Sequence, residues 1–169
     1  MAAVPDNHAV RHLQRILTCA FLFLGCFGYS THSLLPPHIK TVALADVGNS
    51  TTRPGLAEDL TTALLRAFAS DRSLRITSID KADLIVSVNV NSYSRSPSVY
   101  DASQSISGYD IAIGANVSAK DAVRDEEFFA GSVLARSSYN PDSRDEDTAV
   151  QEAVAKLASE IVRQMVSTW

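Results

Sequence analysis

Cys26 is the residue whose surroundings point most directly to chemistry. It closes the apolar run Ile16-Leu17-Thr18-Cys19-Ala20-Phe21-Leu22-Phe23-Leu24-Gly25, which follows Arg11 and Arg15. A basic leader, about ten apolar residues and a small residue before the break make a secretory signal. The run is too short for a bilayer span, which needs roughly 20 apolar residues. A Cys directly after the small residue suggests lipid attachment: cleavage after Gly25 makes Cys26 the acylated N-terminus of a bacterial lipoprotein. Cys19 is a weaker acceptor, because Thr18 precedes it and little apolar core stands before it. The sequence therefore divides into a signal peptide, 1–25, a lipidated tether, 26–38, and a single domain, 39–169.

Other chemistry is sparse. His32 and His38 fall in the tether, where no rigid element holds a partner for acid–base work and no carboxylate stands at a metal-ligand spacing. Both cysteines, Cys19 and Cys26, lie in the leader region, so the domain has no disulfide and no Cys metal site. The loop Gly48-Asn-Ser-Thr-Thr-Arg-Pro-Gly55 joins a strand to a helix, a position that holds phosphate in some proteins. It lacks the Lys-Ser/Thr pair of a phosphate loop and reads as structural. The chain is therefore expected to be no enzyme, with no catalytic residues, no metal and no cofactor. Tyr93, Arg95 and Tyr100 in the segment Ser92–Asp101, with Arg136 further on, offer stacking and charge-assisted hydrogen bonds to a bound partner.

These residues need a scaffold, and the pattern supplies one. A strand over Ile39–Ala45 precedes the turn-rich loop Asp46–Gly55. Leu56, Leu60, Ala63, Leu64, Ala67 and Phe68 form one helical face, with Pro54 suited to the first helical position. Leu74–Ile79 is a short strand. Leu84, Val86, Val88 and Val90 alternate with polar residues, and the alternation resumes at Tyr109, Ile111, Ile113, Ala115 and Val117 after a polar connection, Ser92–Ser107. Phe128–Tyr139 is a last strand. A helix over Asp145–Ser167 ends the domain, with Ser143 and Glu146 at capping-box spacing. The fold expected is α+β: a two-layer α/β sandwich with a mostly antiparallel four- to five-stranded sheet and two helices on one face.

The other face of that sheet is then open. Ser87, Asn89, Asn91, Ala112, Gly114, Asn116 and Ser118 on it are small and uncharged, either a plain solvated face or a surface that lies against another protein. Ser87, Asn89, Asn91, Asn116 and Ser118 are its candidate partner contacts. The chain has 46% hydrophobic and 20% charged residues, as globular proteins do. Its formal charge is −4, and −5 once residues 1–25, with two basic and one acidic residue, are removed. No basic stripe exists to displace counterions from phosphates, so nucleic acid is excluded as a partner.

Taken in order, several segments resemble the LPS-assembly lipoprotein family (LptE), in its non-enteric form. They are Cys26 followed by Gly28-Tyr29-Ser30; Leu34-Leu-Pro-Pro-His-Ile-Lys-Thr-Val42; Asn49 with Thr51-Thr-Arg-Pro-Gly-Leu56; Leu60-Thr61-x-Ala-Leu64; Ala82-Asp83-Leu84; Ser92-Tyr-Ser-Arg95; and Trp169. Phe27, inserted after the Cys, and Phe23, where the lipid-attachment motif usually has Leu, depart from the pattern. The resemblance implies a lipoprotein anchored by acyl chains to the periplasmic side of the cell outer membrane. It would plug and support an LptD-like outer-membrane β-barrel that assembles lipopolysaccharide at the cell surface. Arg95 and Arg136 are then the candidate lipopolysaccharide contacts. A different class of function stays open: a periplasmic lipoprotein interaction module serving another envelope-assembly or cell-wall synthesis complex.

Overall fold

Apolar residues at helical spacing and at strand spacing meet in one core. The computed structural model describes residues 35–167. Five strands and two long helices follow in the order β1 (Thr41–Asn49), α1 (Leu56–Asp71), β2 (Arg75–Ile76), β3 (Leu84–Tyr100), β4 (Ile106–Asp121), β5 (Glu126–Tyr139) and α2 (Glu146–Ser167). The sheet order is β2-β1-β3-β4-β5. β1 pairs in parallel with β2 and β3, and the β3–β4 and β4–β5 pairs are antiparallel. The parallel pairing requires a crossover, which α1 provides.

Both helices pack on one face, as the pattern requires. α1 buries Leu56, Leu60, Leu64 and Phe68. α2 buries a stripe that includes Val150, Ala153, Leu157, Ile161 and Met165. Opposite them lie Leu84, Val86, Val88 and Val90 of β3, Ile111, Ile113, Ala115 and Val117 of β4, and Val133 and Ala135 of β5, all in the same cluster. Fully burying each Val, Leu or Ile contributes about 1.5–3 kcal/mol. This cluster therefore holds the two layers together.

β1, β3, β4 and β5 are longer than the sequence pattern indicates, while β2, expected over Leu74–Ile79, is only Arg75–Ile76. β1 continues through Asn49, with Ala45 as an extra residue between the Leu44 and Asp46 pairings. The segment Ser92–Ser107, expected as a polar connection, is mostly strand: β3 runs to Tyr100 and β4 begins at Ile106. A bulge hides this. Val90 pairs with Ala115 and Ser92 with Gly114, which leaves Asn91 as the extra residue. One inserted residue exchanges the two faces of everything after it. Even-numbered residues point to the helices before the bulge, and Tyr93 and Arg95, opposite Ile113 and Ile111, do so after it. An alternation that changes phase reads as a loop.

Both helix starts also differ from expectation. Pro54 is not the first helical residue; Gly55, at φ 82°, is the N-cap of α1. A left-handed backbone there suits Gly, which has no Cβ to clash. The capping box of Ser143 and Glu146 does not form. Asp145 is the cap, its Oδ1 accepting from the Thr148 N–H at 2.7 Å. Glu146 is thereby free to turn inward.

The segment before β1 packs on the domain. Leu35 and Ile39 are buried. His38, expected to lack support, has it: its Nε2 lies 2.5 Å from Asp121 Oδ2 at the end of β4. The same Asp121 carboxylate accepts the backbone N–H groups of Val123 and Arg124 and so shapes the β4–β5 turn. Cys26, His32 and Trp169 lie outside the described residues.

Candidate functional site

Two surfaces hold the residues singled out by the sequence, one on each side of the sheet. On the helix side, beyond the β3 bulge, a polar cluster gathers around Glu146. Asn49 at the end of β1 shapes the loop that delivers Arg53: its Oδ1 accepts from the Thr51 N–H and hydroxyl at 2.9 and 2.8 Å, and its Nδ2 donates to the Arg53 carbonyl at 2.7 Å. Arg53 Nη1 then reaches Glu146 Oε1 at 2.7 Å and Tyr93 Oη at 3.1 Å, and Nη2 reaches Asp147 at 2.5 Å. Tyr93 Oη donates to the same Glu146 oxygen at 2.7 Å.

Arg95 completes the cluster from the other side. Its Nε donates to Tyr139 Oη at 2.7 Å and stands 3.1 Å from Glu146 Oε2. Its guanidinium carbon is 3.6 Å from the centre of the Tyr109 ring, and the Tyr109 and Tyr139 rings stack with centroids 5.6 Å apart. Cation–π and charge-assisted contacts of this kind hold a side chain in one place. The Glu146 carboxyl is held below its ordinary range, first by the hydrogen bond from Tyr93 and then by Tyr139, Arg53 and Arg95, against the opposing effect of burial. The Tyr93 phenol is pushed up to about 12, by burial first and by Glu146 second. Arg95 is therefore an internal brace with part of its surface still open to solvent.

Loop 50–55, the post-bulge part of β3, the ends of β4 and β5 and the first turn of α2 all meet here. The sequence placed Arg53, Tyr93 and Arg95 in segments of interest but gave no sign that Glu146 joins them. The nearest signal was a Glu at a helix start that does not complete its capping box.

The open face carries the other candidates. Ser87 pairs directly with Ser118, and Asn89 with Asn116, across β3 and β4. Ala130 and Ser132 of β5 continue these rows. Ser132 donates to Asn116 Oδ1 at 2.8 Å, and Asn89 hydrogen-bonds Ser50 at 3.1 Å. Asn91 sits on the bulge, its side chain above Gly114, where an added Cβ would also meet the Ser92 hydroxyl. Arg136 pairs with Ala112 on this same face and is exposed, with no side-chain ion pair among the described residues. Ser87, Asn89, Asn91, Asn116, Ser118 and Arg136 thus share one surface, and Arg95 lies on the other.

Among the described residues no group of three His, Cys, Asp or Glu side chains is placed to hold a metal. No helix among them is long and apolar enough to cross a membrane. The polar groups of the Glu146 cluster are committed to one another, and what the arrangement does chemically is fix geometry.

The fold has wide company. A hypothetical protein from Chlamydia trachomatis superposes with a TM-score of 0.59 at 12% identity, over 78% of this chain and 99% of that one. A minor lipoprotein from Acinetobacter baumannii gives 0.52 at 14% identity, over 79% and 95%. The rare lipoprotein B from Shewanella oneidensis gives 0.50 at 16% identity, over 75% and 95%. At these identities the likeness is one of fold. No curated protein sequence matches the chain. The family model described as "LptE: Lipopolysaccharide-assembly" matches residues 39–167, from just before β1 to the end of α2, and the chain belongs to that family.

Proposed function

We propose that this protein is a non-enzymatic outer-membrane lipoprotein that sits inside an LptD-like β-barrel, supports it, and assists lipopolysaccharide assembly at the cell surface. Membership of the lipopolysaccharide-assembly family is the observation that carries this reading. The open sheet face supports it. Its rows of Ser and Asn carry short side chains with both donors and acceptors, and a polar barrel wall that pairs them keeps the cost of their burial low. Ser87, Asn89, Asn91, Asn116 and Ser118 are its contacts with the barrel. Arg136 is its contact with an anionic lipopolysaccharide group, and the exposed side of Arg95 is a second. Acylation of Cys26 by more than one chain anchors the domain to the periplasmic side of the outer membrane.

Photo-crosslinking from Asn89 and Asn116 in intact cells tests the reading. An outer-membrane barrel and lipopolysaccharide are the expected adducts. Recovery of a cell-wall synthesis component in their place would show that the domain is an interaction module of another envelope complex.

A further inference from the structure

β5 is the outer strand of the sheet, and only part of its free edge is protected. Arg144 donates to the Ser138 carbonyl, and Lys156 Nζ to the Arg136 carbonyl at 3.4 Å. Cations at an edge block the pairing of further strands. Both acceptors are even-numbered, and the register from Phe129 to Tyr139 is unbroken, so even-numbered residues turn their N–H and C=O groups outward. Ala130, Ser132 and Leu134 continue that row, and among the described residues nothing bonds to their outward backbone groups.

Unlike charges bound this open stretch. Glu127 stands before it and Arg136 after it, both exposed and both on the open face. Lys120, directly across from Glu127, turns instead to Asp125. Between the two charges Leu134 leaves half of its surface in water.

We propose that this edge pairs with the same edge of a second copy of the chain, antiparallel about Ser132. That register joins Ser132 to its own counterpart and Ala130 to Leu134 in both directions, making about six backbone hydrogen bonds. Each Leu134 is covered by the other copy's Ala130. The bulge at Phe128 sets Glu127 beside the opposing Arg136, so the two ends of the ladder are closed by ion pairs. A parallel copy sets like charges together, a register shifted toward Arg136 runs into the blocked carbonyls, and one shifted toward Phe128 runs into the bulge. The pairing is one of the free chain and does not rest on the barrel reading; a domain seated inside a barrel, with Arg136 on lipopolysaccharide, does not hold it at the same time.

Sedimentation of the full chain in detergent tests it. A reversible dimer with a Kd on the order of 100 µM is expected, since so short a contact buries less than a standard interface. Arg136→Glu is expected to weaken it about tenfold or more, and adding Glu127→Arg to restore it, because the swapped pair attracts again. Ser132→Pro, which removes an outward N–H that the monomer does not use, is expected to abolish it. A chain that stays monomeric throughout this range overturns the proposal. So does a dimer indifferent to Arg136→Glu, or one that the charge swap fails to restore.

Discussion

Tyr93 and Glu146, 53 residues apart, share a 2.7 Å hydrogen bond that ties the post-bulge part of β3 to the first turn of α2. The contact exists because the Asn91 bulge turns Tyr93 toward the helices and because Asp145, not Ser143, caps the helix. A double-mutant cycle of Tyr93→Phe and Glu146→Gln, read by chemical denaturation, should give a coupling energy of about 1–2 kcal/mol. Simple additivity would separate the two groups energetically.

Alkaline titration reads the same bond. The folded Tyr93 phenol titrates at about 12, above its ordinary value of 10. Between those values the unfolded chain has released its proton and the folded chain has kept it, so stability falls as pH rises. The contribution is complete below pH 10 and lost as pH passes through about 12. Ultraviolet titration should show one tyrosine ionising late, and Tyr93→Phe should remove that step.

Glu152 gives the opposite limb. It lies 2.6 Å from both Lys156 and Arg144, which hold its carboxyl down at about 2, with Lys156 the larger influence. A depressed carboxyl adds stability above its unfolded value, 4.5, and loses it as pH falls toward 2. The group is 38% exposed, so solvent screening reduces the effect. Glu152→Gln should lower stability at pH 7, and the gap from wild type should close by pH 2 in denaturation curves.

Asn91 tests the bulge itself. Deleting it joins Val90 to Ser92, and plain alternation then keeps Ser92 opposite Gly114 and Tyr93 and Arg95 turned toward Glu146 and Tyr139. Unfolding is expected to be easier by only about 1 kcal/mol or less, since every inward partner is kept and only the local kink is lost. Asn91→Ala keeps the residue count and should cost less than about 1 kcal/mol. A loss of about 3 kcal/mol or more in the deletion variant, the size expected when buried partners are left unsatisfied, would show that Tyr93 and Arg95 need the inserted residue to face inward.

The two arginines should separate in the same assay. Arg95→Ala removes contacts to Tyr139, Tyr109 and Glu146 and should lower the melting temperature by several degrees. Arg136→Ala on the open face should leave melting almost unchanged. If Arg136 contacts lipopolysaccharide, its replacement should reduce crosslinking to lipopolysaccharide all the same; crosslinking unchanged in Arg136→Ala would remove it from the contact surface.

Much of this was legible along the chain. The helical stripes of Leu56–Phe68 and Val150–Met165, and the alternation around Val86 and Ile113, announced two layers and a sheet with one covered face. The segments that resemble the lipopolysaccharide-assembly family were legible too, and the family model covers most of them. The order of strands, the length of β3 and the cluster around Glu146 were not. Strand order depends on which elements meet, and residues far apart in sequence carry no local mark of their pairing.

By itself, then, the sequence determined which residues must leave water: periodic burial is a local property, and each apolar position carries its own transfer free energy. Only the tertiary structure decided which way the polar ones point. A single unpaired residue, Asn91, sends Arg95 inward to Tyr109 and Tyr139. The unbroken register of β5 leaves Arg136 on the open face with Asn89 and Asn116. Orientation across a sheet is set by pairing with the neighbouring strand, and that information resides in the partner strand and not in the residue.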